Sequence, residues 1–378
     1  MIKLNKAILP IAFKANGVKS GIKKSKKPDL ALFYSEFPAL ASAKFTSNAI
    51  LAAPLKVNQA QLESGKYFQA VLVNSGNANC FTGKPGILDA WSTVSAVAKE
   101  LKISKESVLV NSTGIIGKRL PIEKIKNAIP GLVAGLSFSK ATYAQQAMMT
   151  TDTFAKEVSV RFKVDNCIVT VCGVAKGAGM IAPNMATLLC FIFTDALVTR
   201  QALDKALSAA VEDSFNCITV DGCMSTNDTV IALANGAAGN KLIGLKDNYV
   251  KFCQALNTVC LDLAKKVVLD AEGATKFIKI DVYAAQSRQE AKQVALAIAN
   301  SDLFKTACFG ENPNFGRIAA AIGASGIKVD EVKLKIKLGP LNKKHIDVSV
   351  GLSRGKARVT VYTCDLTGDY IKINAQYN

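Results

Sequence analysis

Short runs of β-branched and apolar residues alternate along this chain with longer amphipathic stretches, and that alternation points to a mixed α/β architecture, sheets layered with helices. Residues 69–74 (Gln-Ala-Val-Leu-Val-Asn) read as a strand that ends in the turn-rich Ser75, Gly76, Asn77, Ala78 and Asn79. Residues 85–101 then place Ile87, Trp91, Val94 and Ala98 at three-to-four spacing, which predicts a helix with one buried face and Trp91 in the core. A second strand, 107–110, runs into Asn111, Ser112, Thr113 and Gly114. Both strands end in small polar residues and glycine, where backbone donors can face a ligand. Further strands are expected over 167–172, 188–193, 217–220 and 228–233, and helices over 201–215 and 248–269. Beyond 277–282, a helix over 287–300 and strands near 332–338, 346–350 and 357–362 suggest a smaller C-terminal lobe from about 280.

Composition narrows the function. With 378 residues, 49% of them hydrophobic, the chain can bury a core of two-domain size. Its net charge of +18 comes mostly from lysines spread along the whole length, a solvated surface rather than the arginine forks and stacked aromatics of nucleic-acid readout. The densest run, Lys23, Lys24, Ser25, Lys26 and Lys27 ahead of Pro28, reads as an exposed, solvated loop. Ten cysteines at irregular spacing, with no CxxC pair, read as reduced thiols in a cytoplasmic protein. No signal-peptide pattern opens the chain, and no 18-residue apolar run predicts a transmembrane helix. The one histidine, His345, lies in an alternating strand-like stretch. A zinc site with several histidines is therefore excluded, and no metal site is expected. Asp221, Asn227 and Asp228 lack calcium-loop order and read as polar groups that satisfy nearby loops. Any acyl-transfer chemistry must find a base other than a triad histidine.

Residues 176–189 (Lys-Gly-Ala-Gly-Met-Ile-Ala-Pro-Asn-Met-Ala-Thr-Leu-Leu) suggest where that base comes from. Two glycines and a proline permit unusual turns, and the apolar run that follows would hold Thr187 at the mouth of a buried strand. If the Ala186-Thr187 bond were cut, Thr187 would gain a free amine able to serve its own hydroxyl as base. A terminal amine has a pKa of about 7.7–8.0 and accepts a proton near neutrality. From spacing alone a plain loop-to-strand junction reads equally well, and Thr113-Gly114 reads more readily as an ordinary turn after a strand.

The stretch 176–195 resembles the self-processing segment of the ornithine acetyltransferase family, also called bifunctional glutamate N-acetyltransferases. Ordered matches to that family continue at 71–79, 112–117, 150–153, 214–216, 218–222, 225–229, 313–314, 316–317 and 373–375. Departures occur at Ala182, where the family often has His, at Cys217, Cys223 and Met224, which replace more polar residues, and at Phe315, where Trp is usual.

The resemblance implies an N-terminal-nucleophile acetyltransferase fold and a precursor cleaved between Ala186 and Thr187 into an alpha segment, 1–186, and a beta segment, 187–378. It implies that Thr187 carries the acetyl group of N-acetylornithine to glutamate in arginine biosynthesis. Thr113 and Gly114 would form the oxyanion hole, and Thr150, Lys176, Thr187, Glu272 and Asn374 would bind substrate. Without the resemblance, Thr150 reads as a helix cap and Asn374 as a strand-end residue. No tightly bound cofactor, nucleic acid or membrane partner is implied, and the family assembles two alpha with two beta chains. Whether acetyl-CoA is a co-substrate is open, because no CoA-specific motif can be read. The rival readings are an aminopeptidase or amidohydrolase with the same nucleophile, and a non-catalytic amino-acid binding protein.

Overall fold

The computed structural model describes residues 1–64, 67–182 and 188–376. Its strands are β1 (Ile2–Leu4), β2 (Phe13–Val18), β3 (Leu30–Phe45), β4 (Phe68–Asn77), β5 (Val108–Ile115), β6 (Lys156–Val164), β7 (Cys167–Lys176), β8 (Leu189–Thr194), β9 (Thr229–Ala234), β10 (Phe277–Ala285), β11 (Lys335–Leu338), β12 (His345–Gly351) and β13 (Ala357–Cys364). The described residues divide into two units, one of 1–177, 188–214 and 224–263, the other of 178–182, 215–223 and 264–376. The mixed α/β class read from the alternation is the class observed.

In the first unit one sheet runs β1-β6-β7-β8-β9-β3-β4-β5, with β2 added on β3. The long β3 makes this possible: its first half pairs with β4 and its second half with β9, with a shift of register between Tyr34 and Ala39. Pro38 lies inside that shift, where its missing N–H costs no ladder bond. Two neighbouring pairs are parallel, β4 with β5 and β8 with β9. Parallel neighbours need long crossovers. The helices Gly83–Leu101 and Arg200–Glu212 supply them, close to the spans expected from periodicity.

All six residues of β8 are buried, which accounts for its unbroken apolar run. On one face Phe193 stacks on Phe33 at 4.9 Å and meets Phe13 at 5.3 Å. Next to it in the sheet, Gly173 of β7 leaves room for a helix, since a Cβ there would lie 2.4 Å from Val259 Cγ1. Trp91 is partly buried against the cluster of Leu72, Val94, Val97 and Val110, as its helical spacing predicts.

The second unit holds a four-stranded sheet in the order β11-β12-β10-β13. Its core joins Ile278, Ile280 and Val282 of β10 to Val294, Ala295 and Ile298 of the helix Arg288–Ala299. His345 opens β12 as an exposed residue, its ring 5.4 Å from that of Phe277. One expected strand is absent. Residues 215–217 form a 3-10 turn, and Ile218 makes only an isolated bridge to Tyr362. Thr219 N–H makes that bridge's bond to Tyr362 O, and the ladder stops there because the next two amides, of Val220 and Asp221, both turn to Ile181 O. All ten cysteines are free thiols, and among the described residues no helix is long and apolar enough to cross a membrane.

Candidate active site

Thr113 and Gly114 lie near the end of β5, where it runs parallel to β4. Ser112 Oγ donates to Asn74 Oδ1 at 2.6 Å, and Asn227 Nδ2 donates to Ser112 O at 2.8 Å and Ala78 O at 2.7 Å. Those bonds hold the strand end from two sides. Gly114 has φ +133°, and a Cβ there would meet Gly76 C at 2.4 Å and Asn77 N at 2.5 Å. Only glycine fits this corner. Thr113 beside it is 4% exposed.

Lys176 is the last residue of β7 and is 2% exposed. Its Nζ lies 3.4 Å from Thr113 Oγ1 and 3.9 Å from Asp152 Oδ2. Asp152 is the hub of this cluster. Its carboxylate accepts from Lys156 Nζ at 2.7 Å, from Gly177 N–H at 2.7 Å and from Thr150 N–H at 3.0 Å. Burial alone would push this carboxyl up, but the Lys176 and Lys156 ammoniums outweigh it and hold Asp152 well below the usual carboxylate range. Thr150 caps no helix, contrary to the reading made without the resemblance. The helix Ala141–Met148 ends before it, with Met149 in the C-cap position.

Lys23 departs from expectation. Lys24, Lys26 and Lys27 are exposed, but Lys23 is half-buried, its Nζ donating to Met149 O at 2.6 Å and to Pro28 O at 2.8 Å. The buried Asp29 bends the loop this way by accepting the backbone N–H groups of Ser20, Gly21, Ile22 and Lys23 and the Ser20 hydroxyl. Burial pulls the Lys23 ammonium down to about 8, with Asp29 opposing and Lys176 adding to the shift. The basic run is therefore not a uniformly solvated loop.

Ala186 and Thr187 lie outside the described residues. The next residue, Leu188, is firmly placed: its N–H donates to Asp228 Oδ1 at 2.9 Å, and its carbonyl accepts from Thr229 N–H at 3.0 Å. Complete burial drives the Asp228 carboxyl well above its ordinary value, against the Leu188 N–H and Lys176.

Within the second unit Asn374 Nδ2 donates to Glu272 Oε2 at 2.9 Å. Asn374 sits on the helix Gly368–Ala375, a correction to its reading as a strand-end residue: Thr367 starts that helix by accepting the Tyr370 N–H at 3.2 Å. Glu272 is positioned by its own N–H, 3.0 Å from Ala178 O, and by Gly179, where a Cβ would strike Glu272 Oε2 at 2.3 Å. The Asp221 carboxylate accepts from Met180 N–H at 2.7 Å, Ile181 N–H at 2.9 Å, Cys223 N–H at 3.1 Å and Tyr370 Oη at 3.1 Å. Asp221, Asn227 and Asp228 thus satisfy loops, as read from their spacing. Among the described residues no group of acidic, histidine or cysteine side chains could hold a metal.

The structure therefore brings Thr113, Gly114, Lys176 and Thr150 together in the first unit, and Glu272 with Asn374 in the second. Sequence reasoning missed Asp152, Lys156 and Lys23. The first two carried a signal, an acid and a base four residues apart within and just beyond the family-like 150–153.

Comparison with known proteins gives this arrangement its kin. The model of the ArgJ family matches residues 14–378. The arginine biosynthesis bifunctional protein ArgJ of Geobacter sulfurreducens is 45% identical over 387 residues, covering 97% of this chain and 98% of its own. The protein of that name from Caldanaerobacter subterraneus subsp. tengcongensis is 46% identical over 397 residues, covering 98% and 97%. Among solved structures, the ornithine acetyltransferase of Mycobacterium tuberculosis complexed with ornithine is 38% identical, spanning 50% of this chain and 99% of that one with a TM-score of 0.46. The chain belongs to the ArgJ family, the ornithine acetyltransferase family that its motifs resemble, and is an enzyme of that family, a glutamate N-acetyltransferase.

Proposed function

We propose that the chain cuts its own Ala186-Thr187 bond and then carries an acetyl group on Thr187 from N-acetylornithine to glutamate. The observation that carries this reading is the buried Lys176-Thr113 contact beside the Gly114 corner. An ammonium donating to Thr113 Oγ1 leaves the hydroxyl hydrogen of Thr113 free to point at another acceptor. With the Gly114 N–H it forms a pair of donors suited to a tetrahedral oxyanion.

The freed Thr187 amine takes the hydroxyl proton as Thr187 Oγ attacks the acetyl carbonyl. Collapse of the tetrahedral adduct breaks the amide C–N bond, and the departing amine of ornithine takes the proton back from the Thr187 ammonium. Glutamate's amine then attacks the acetyl ester, its surplus proton returning to the Thr187 oxygen through the same amine. Lys176 binds the α-carboxylate of either amino acid. Thr150 adds a polar contact, and Glu272, held by Asn374, takes a substrate amino group. No tightly bound cofactor enters these steps. Acetyl-CoA belongs to the proposal as a second donor, supported by the word bifunctional in the relatives' names. Two 1–186 and two 187–378 chains would assemble in the cytoplasm.

The test is ornithine release from N-acetylornithine with and without glutamate. Release that depends on glutamate, with N-acetylglutamate formed in equal amount, is expected. Equal release in both cases would point to an amidohydrolase instead.

A further inference from the structure

The basic run that the sequence presents as solvated contributes one lysine to the buried cluster of the first unit. Lys23 Nζ is anchored on Met149 O, and the next residue, Thr150, donates its N–H to Asp152, whose carboxylate lies 3.9 Å from Lys176 Nζ. Behind Lys23, Gly76 is constrained from both sides. A Cβ on Gly76 would stand 3.1 Å from Lys23 Cγ, and Gly76 is the register partner of Gly114 in the sheet. Lys23 is therefore built into the same strand-end corner as Thr113 and Lys176.

Charge explains what such a lysine would do there. Three ammoniums, Lys23, Lys156 and Lys176, share this region with two carboxylates, Asp152 and Asp29. Asp29 spends its oxygens on four backbone N–H groups and a hydroxyl, and Asp152 is taken by Lys156, Gly177 and Thr150. Ammoniums thus gather at this corner, which suits the binding of an anionic substrate. An ammonium has three donors. Two of Lys23's go to Pro28 O and Met149 O, and the third meets no acceptor among the described residues.

From this geometry we infer that Lys23 is a second ammonium for the carboxylate of the amino-acid substrates, acting beside Lys176. The inference rests on the acetyl-transfer reading. The charged groups acting on Lys23 are Asp29 and Lys27 from its own loop, Lys176 from β7 and Asp152 from the segment before β6. Burial already lowers its pKa to about 8, so its charge is complete below that pH and lost above it. An anion held by Lys23 is bound fully at pH 7 and progressively less as pH rises toward 9.

The experiment is calorimetric titration of the full processed protein with N-acetylglutamate, whose carboxylates stay ionised and which has no amine to titrate. Wild-type affinity should fall about tenfold from pH 7 to pH 9, following the loss of charged lysine. Lys23→Met should bind about ten- to a hundredfold more weakly at pH 7. Lys23→Arg, which stays charged, should keep its affinity across the range. The Arg variant also separates Lys23 from the Thr187 amine, which titrates in the same window. A pH dependence that persists in Lys23→Arg, or a Lys23→Met variant that binds as tightly as wild type, overturns the assignment while leaving acetyl transfer standing. A wild type that fails to bind N-acetylglutamate at all removes the acetyl-transfer reading, and this assignment with it.

Discussion

The cluster around Lys176 in the first unit and the Glu272-Asn374 pair in the second are built on opposite principles. Lys176, Asp152 and Lys156 are buried ions beside strand ends, satisfied by one another and by the backbone N–H groups of Thr150 and Gly177. Asn374 is exposed, on a helix with no buried residue, and reaches Glu272 through one hydrogen bond. A buried ion network cannot lose one member without stranding the others, whereas an exposed hydrogen bond can be exchanged with water. The first cluster should therefore couple chemistry to folding, and the second should tune affinity alone.

Asp152→Ala would break that comparison most severely. It strands the fully buried Lys156, and a loss of about 3–5 kcal/mol is expected, read as a drop in denaturant midpoint. A variant as stable as wild type would mean that the network is not structural. The same carboxylate sets an acid limit. Its folded pKa is depressed, so its contribution is complete above the unfolded value of about 3.9 and fades as pH falls below it. In Asp152→Asn, circular dichroism over the acid range should show a shallower loss of stability than in wild type.

Thr113→Val comes next. It removes one oxyanion donor and Lys176's acceptor while keeping the side-chain shape. We expect kcat to fall by about 10²–10³, or about 2.7–4 kcal/mol, with KM changed less. A rise in KM at constant kcat would instead make Thr113 a binding residue. The smallest effect belongs to Asn374→Ala, where losing one exposed hydrogen bond costs about 0.5–1.5 kcal/mol. Steady-state kinetics should show KM raised several-fold with the thermal midpoint unmoved. A midpoint shift as large as that of Asp152→Ala would erase the distinction between the clusters.

What could be read from sequence follows the same division. Helices such as Gly83–Leu101 announce themselves by period, and strands such as β4, β5 and β8 by short runs of nearly continuous burial. The Thr113-Gly114 corner was legible as a strand ending in small residues. Its need for glycine, however, comes from Gly76 and Asn77 on another strand. The turn of Lys23 inward depends on Asp29 gathering the amides of 20–23, a long-range consequence that a run of lysines does not encode. The strand expected at 217–220 failed for a related reason. Local β-propensity was overridden where the amides of Val220 and Asp221 turned to Ile181 O.

The central claim is that Thr187 becomes a terminal residue and then carries the acetyl group. Intact-protein mass spectrometry of purified enzyme, before and after a rapid acid quench with N-acetylornithine, tests it directly. The account predicts two chains, 1–186 and 187–378, with one acetyl group appearing on the second and disappearing when glutamate is added. A single uncut chain with full transferase activity, or an acetyl group found anywhere but Thr187, would contradict it.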